Sequence, residues 1–259
     1  MAETYFRRLD ADRFSATEST GGGWDASEQH IAPSMGLLAH LVEQDRDHRR
    51  DDGLAVARLS YDILGTVPVD VVQADVRVVR PGRTIELVEA TLSHGERPFI
   101  VLRAWLMQSS DNQHLAGSPV PRLEPPGALP EWDPAAIWPG GFIGSVEVRR
   151  EEQHPGRGRF WVRTDTALLD DEPTSDLARF AGLLDIANGM TVRVDPHDVT
   201  FPNLDLTVHF FERPVGQWVG FDTTVSFGTA GAGLTSSVIH DQRGPIGTLA
   251  QSLTVRTRG

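Results

Sequence analysis

The sequence predicts an α+β fold in which two antiparallel sheets, each wrapped around one helix, are fused in a single chain. Three observations predict it. An apolar segment, DLARFAGLLDIANGM (residues 176–190), carries helical spacing through Leu177, Phe180, Leu183, Leu184 and Ala187. Runs of alternating character surround it, at 144–153, 158–167, 204–211, 217–226, 234–241 and 246–256. The order of one helix followed by antiparallel strands occurs twice along the chain, so the two units can share one continuous sheet with both helices packed on it.

The first unit begins with a short lead-in, where Phe14–Thr20 reads as an edge strand ended by Gly21-Gly22-Gly23. Residues 31–44 form its helix, with Ile31, Met35, Leu38, Leu41 and Val42 on one face and Pro33 in the first turn, where proline is tolerated. The polar run at 44–53 reads as a loop. Strands follow at 54–64, 71–80, 83–95 and 95–108, with Pro81-Gly82 as a turn dipeptide. Residues 109–141 are rich in proline and polar residues and read as a linker, part of which Trp132 and Trp138 pin to the surface. This gives an organisation of 1–108, a linker 109–141, and 142–259. In the second unit, Thr174 or Ser175 caps a helix of about four turns over 176–190, and Asn188-Gly189 stops it.

The two units overlay as an internal duplication. GLLAHL (36–41) matches GLLDIA (182–187) at an offset of 146; IELVEATLSHG (85–95) lies on 218–228 at 133; RPFIVLRAWL (97–106) lies on 244–253 at 147. Under these offsets the second unit is polar where the first is apolar: Asp185 replaces Ala39, Asp205 replaces Val72 and Gln251 replaces Ala104. Strand alternation alone puts Asp205 on a solvent face with Thr207 and His209, and a buried carboxylate there would need a partner.

Composition excludes several chemistries. No cysteine is present, which removes disulfides, thiolate metal sites and a cysteine nucleophile. There is no Gly-x-Ser-x-Gly elbow, no His-Glu-x-x-His and no phosphate loop, so no metal and no cofactor is expected. The formal net charge of −12 lacks the basic footprint of a nucleic-acid binder. Every basic residue other than histidine is arginine. No apolar run is long enough to span a membrane, and the N-terminal residues carry no signal core; a cytoplasmic location is the expectation.

Three stretches, LLDIANG (183–189), FPNLDLTVHFFERP (201–214) and GPIGTLAQSLTVR (244–256), resemble the acyl-CoA thioesterase II-like family of double-hotdog proteins, and the resemblance extends over nearly the whole chain. The first unit's QHIAPSMGLLAHLVE (29–43) is similar to that family's His-Gly-Gly-Pro helix start, with Ile31 and Ala32 where the glycines usually stand. The resemblance implies a double hotdog that hydrolyses acyl-CoA, with a water held by an Asp, a Thr or Ser, and a Gln. Carried over by position, these are Asp205 as general base, Ser226 and Gln251; Thr224, on the same strand face as Ser226, is the alternative hydroxyl. Other hotdog thioesterases place an acid on the central helix, where this chain has Asp185.

An acyl channel is expected between the second helix and its sheet, where Ala181, Gly182, Ala187 and Gly189 leave room; close packing of helix on sheet is the alternative. Arg149, Arg150, Arg157 and Arg159 are candidates for the phosphates of coenzyme A by density, against a solvated hairpin. Exposed sheet edges predict a homo-oligomer. The competing functions are a non-catalytic acyl-CoA or lipid-thioester binding protein and, third, a dehydratase or hydratase using His209. Hydrolysis by the Asp205 route requires Asp205 and Gln251 on one face of the sheet.

Overall fold

The computed structural model describes residues 3–258. The first half contributes β1 (Thr4–Arg8), β2 (Arg13–Ala16), α1 (Ile31–Arg49), β3 (Ala55–Ile63), β4 (Val71–Arg80), β5 (Ile85–His94) and β6 (Arg97–Met107). The second contributes β7 (Glu131–Trp132), a single turn α2 (Gly141–Gly144), β8 (Val146–His154), β9 (Arg157–Thr164), β10 (Ala167–Leu169), α3 (Asp176–Ala181), β11 (Val199–Thr200), β12 (Asp205–Phe210), β13 (Val219–Phe227), β14 (Ala232–Asp241), β15 (Gly244–Thr254) and β16 (Arg256–Thr257).

Fourteen of these strands form one continuous sheet in the order β10-β1-β2-β4-β5-β6-β3-β12-β15-β14-β13-β9-β8-β7; β11 and β16 pair separately. The two halves join where β3 and β12 run antiparallel, with Ser60 opposite Thr207 and their hydroxyls 2.8 Å apart. Inward positions are apolar on both sides of that seam: Leu59 and Tyr61 on β3, Leu206 and Val208 on β12. This is the alternation expected of a sheet with one covered face.

The helices meet back to back, and the contact is made by glycine. A Cβ on Gly36 of α1 would lie 3.0 Å from the Ala178 carbonyl oxygen and 3.0 Å from the Gly182 Cα. Gly182 ends α3 after six residues, well short of the predicted 176–190. The chain passes Leu183 in a non-helical conformation and tightens into a 3-10 turn over Leu184–Ile186. Glycine is a poor helix former, and here the close approach of α1 requires it. The small residues expected to open a channel therefore serve close packing at Gly182. α1 is longer than predicted, running to Arg49 instead of ending near residue 44. Its last turns are held by the Arg49–Asp45 pair and by Arg49 and Arg50 on the buried Glu86 of β5, at 2.8 and 3.0 Å.

The predicted edge strand Phe14–Thr20 is shorter, as β2, and is followed by a 3-10 turn over Glu18–Thr20; β1 lies in the stretch expected to be a plain lead-in. The stretch read as a linker is laid against the body. Trp161 Nε1 donates to the Glu124 carbonyl at 2.7 Å, and Trp138 Nε1 donates to the Gly189 carbonyl at 2.9 Å.

The ladders give the duplication its register. Val88 faces Ala104 in the first half, and Thr235 faces Gln251 in the second, a constant displacement of 147 residues. β5 therefore corresponds to β14, and the offset of 133 read from the sequence slips by one strand. Asp205 corresponds to Arg58 and not to Val72. The match of Gln251 to Ala104 agrees with the ladder.

Candidate active site

Asp185 lies in the 3-10 turn after α3 and is only 6% exposed. Its Oδ1 accepts two side-chain amides, from Asn203 Nδ2 at 2.6 Å and from Gln251 Nε2 at 3.0 Å. Asn203 sits just ahead of β12, where it also donates to the Asp205 carbonyl at 3.2 Å. Gln251 is fully buried on the helix-facing side of β15. Burial pushes the Asp185 carboxyl up to about 7, and the two amide donors pull against that rise.

The other oxygen, Oδ2, has the first half of the chain across from it. His30 Nδ1 is 3.9 Å away. His30 caps α1: its Nδ1 accepts the Ala32 N–H at 3.2 Å, and its ring rests on Phe142 with centroids 4.3 Å apart. Burial lowers the His30 pKa to about 3. The ring is therefore neutral, and with Nδ1 accepting, its proton is assigned to Nε2.

Asp185, Asn203 and His30 line a cavity of about 310 Å³ between the two halves. Its apolar walls come from both sides: Trp24, Ile31, Ile63 and Val67 from the first, Trp138, Ile186, Met190 and Phe201 from the second. Trp24 stands edge-on to Trp138 and to Phe201, at 4.9 and 5.3 Å between centroids. The cavity thus lies at the start of α1, where the halves face each other, and not between a helix and its own sheet.

The structure does not bring the expected trio together. Asp205 points to the outer face of β12, where its Oδ1 accepts the Ser252 N–H at 2.6 Å, while Gln251 points inward. Because Leu206 and Val208 are buried, alternation turns Asp205, Thr207 and His209 away from the core. Ser226 and Thr224 are exposed on the outer face of β13; Thr224 Oγ1 reaches only the Ser236 carbonyl, at 3.4 Å. The condition that Asp205 and Gln251 share a face is not met. Of the four residues marked in the sequence, Asp185 and Gln251 meet each other. An Asp205→Asn variant keeps the Ser252 acceptor, so thioester hydrolysis should stay within about threefold of wild type in a coenzyme A release assay, as for a surface change.

The arginine candidates are occupied elsewhere. Arg149 pairs with Glu131 at 2.8 Å, Arg150 with Glu152 at 2.9 Å, and Arg157 and Arg159 with Asp222. None lines the cavity. Among the described residues, no three histidine, aspartate or glutamate side chains gather as a metal site. No described helix is long and apolar enough to cross a membrane.

Asn203 and His30 are site residues that the sequence reading misses. The signal for Asn203 is the duplication itself, which sets it against Val56. His30 can be read from sequence only as a helix start, since its partner lies in the other half.

Solved structures similar to this chain share the fold. A hot dog fold protein of unknown function from Alicyclobacillus acidocaldarius is 15% identical with a TM-score of 0.74, covering 97% of this chain and 96% of that one. The acyl-CoA thioesterase II TesB2 from Mycobacterium marinum is 15% identical with a TM-score of 0.70, covering 98% and 96%. A protein of Novosphingobium aromaticivorans proposed to be a thioesterase is 22% identical with a TM-score of 0.71, covering 97% and 98%. No curated protein matches the chain. The family described as acyl-CoA thioesterase N-terminal domain matches residues 20–107, and the acyl-CoA thioesterase C-terminal domain matches residues 121–255. With both halves matched and folded as a double hotdog, the chain belongs to the acyl-CoA thioesterase family, the thioester hydrolases.

Proposed function

We propose that this chain hydrolyses an acyl-CoA thioester in the cavity between its two halves, with Asp185 as the general base. One observation carries the reading. Asp185 is buried, its Oδ1 is saturated by two amide donors, and its Oδ2 is left toward the cavity. A base tuned to about 7 is matched to proton abstraction from water near neutrality.

Asp185 Oδ2 takes a proton from a water, whose oxygen bonds to the thioester carbonyl carbon. The carbonyl oxygen becomes an oxyanion, then collapses as the C–S bond breaks. Coenzyme A leaves as thiolate and takes up a proton, which Asp185 can return. Asn203 and Gln251 hold the carboxylate in place, so the water meets it in a fixed geometry. The developing oxyanion is served by the start of α1, where the dipole favours negative charge. In that first turn His30 takes the Ala32 N–H and Pro33 has none, which leaves the Ile31 N–H for the substrate. With His30 Nδ1 accepting from Ala32, its Nε2–H is a second donor, and the neutral ring avoids an ion pair that would quench the base.

The acyl group lies against the Trp24, Trp138 and Phe201 walls. The cavity is at the small end of the range for ligand sites, about 300–1,000 Å³, which suits short acyl chains. Coenzyme A release from a panel of acyl-CoAs, short to long, tests this. Turnover should peak at the short end; binding without turnover of any member would instead identify a lipid-thioester binding protein.

The pH dependence has a definite sign. The base acts when deprotonated, so kcat should rise with pH through about 7 and level off above it. A single titration near 7 makes kcat at pH 5 roughly 100-fold lower than the plateau. A flat profile between pH 5 and 9 would remove Asp185 as the base.

A further inference from the structure

Gln251 donates to Asp185 through Nε2, but its Oε1 is buried with no hydrogen-bond partner among the described residues. Directly across the β14–β15 ladder is Thr235, also fully buried, and its Oγ1 likewise has no partner among the described residues. Cross-strand neighbours hold their Cβ atoms about 5 Å apart, within reach of a bond between a hydroxyl and a longer side chain. Two adjacent orphaned groups, one able to donate and the other only to accept, are complementary.

The duplication supplies an internal control. At the same ladder positions in the first half stand Val88 and Ala104, both buried and apolar. Ala39 stands where the second half has Asp185. Threonine at 235 thus accompanies the polar cluster, and the half without the carboxylate has valine, which has the same shape without the hydroxyl. A buried hydroxyl with no role is unfavourable against valine.

We infer that Thr235 is a positioning residue, whose hydroxyl donates to Gln251 Oε1 and so fixes the amide with its NH2 toward Asp185. Without it the amide can turn over and present Oε1 to the carboxylate, replacing an attraction with a repulsion. The inference rests on the assignment of Asp185 as base. The titratable groups facing Asp185 are His30 from α1 and, along the same cavity, Asp25 and Glu28 from the loop before it. The sheet side offers only the neutral Asn203 and Gln251.

The test uses the full chain with Thr235→Val, the residue the first half has, and Thr235→Ser, which restores the hydroxyl. When the amide turns over, the Gln251 hydrogen bond to the Asp185 carboxylate is lost, and a bond to a charged group is worth about a factor of ten or more. Thr235→Val should lower kcat about tenfold with KM little changed, and raise the pH at which kcat is half-maximal by about one pH unit; Thr235→Ser should recover both. Infrared difference titration of the Asp185 carboxyl, taken against Asp185→Asn, reads the same rise without turnover. A Thr235→Val protein with wild-type kcat and titration overturns the inference. So does equal loss in both variants with the Asp185 titration unmoved, which marks packing alone. If Asp185→Asn is itself active, the base assignment has failed and the role of Thr235 falls with it.

Discussion

Asp185→Asn should reduce thioester hydrolysis by about two to four orders of magnitude, the contribution of a positioned general base, and should stabilise the fold at the same time. The asparagine is nearly isosteric, and its Oδ1 can still accept from Asn203 and Gln251, so the site stays assembled while the base is lost. The stability gain follows from burial. Asp185 titrates at about 7 in the folded chain, against an ordinary carboxylate value near 3.8 in the unfolded one. The folded state therefore holds a proton that the unfolded state has released. Its stabilising effect is complete below about pH 4 and is lost as pH rises to 7. Above pH 7 the wild type carries a buried carboxylate that the unfolded chain would rather have, a penalty on the order of 4 kcal/mol. The uncharged amide of the variant carries none. The difference in Tm between variant and wild type should be near zero at pH 4 and largest at pH 8. Opposite movements of activity and Tm in one variant are hard to produce by general damage. A variant that is both active and no more stable at pH 8 would place the base elsewhere and Asp185 in an ordinary structural role.

Much of this site is legible in the residues, and the places where it is not have physical causes. The strands are plain because alternation is local: β4 has its predicted bounds, and β12 matches within a residue at each end. The same alternation turns Asp205 outward, with Leu206 and Val208 as its inward neighbours. That local rule outweighs a positional carry-over from a family, since a single step along a strand moves a side chain to the other face. Asp185 is visible as a lone carboxylate in an apolar helix-like segment. Gln251 is visible too, as a polar residue where the first half has alanine, but Asn203 and His30 are not, because they come from other elements and converge on Asp185 only through the sheet order. The helix lengths fail for a different reason. α3 stops where α1 crosses it, and α1 continues because Glu86 on a distant strand accepts Arg49 and Arg50. Both are tertiary effects on segments whose local pattern permits either outcome.

Gly36→Leu should be among the most destabilising single changes in the chain, because it strikes the contact that aligns the two halves. The Cβ alone would press on the Ala178 carbonyl and on the Gly182 backbone at 3.0 and 3.1 Å. These are backbone atoms, which cannot turn aside as a side chain can. The rest of a leucine has nowhere to go between helices that are otherwise covered by the sheet. Overpacking of this kind typically costs about 1–3 kcal/mol, and with rigid backbone on the far side the effect should fall at or above the upper end. Thermal and denaturant unfolding should both show it. The same variant separates two readings of the small residues near the second helix. Had they lined an acyl channel, filling the space would shorten the accepted chain and leave the fold intact. As a helix-on-helix contact, the change should lower Tm and reduce kcat for every acyl length alike, since α1 carries His30 on one side of the cavity and α3 leads to Asp185 on the other. A stable Gly36→Leu protein with an altered chain-length profile would restore the channel and overturn the packing argument.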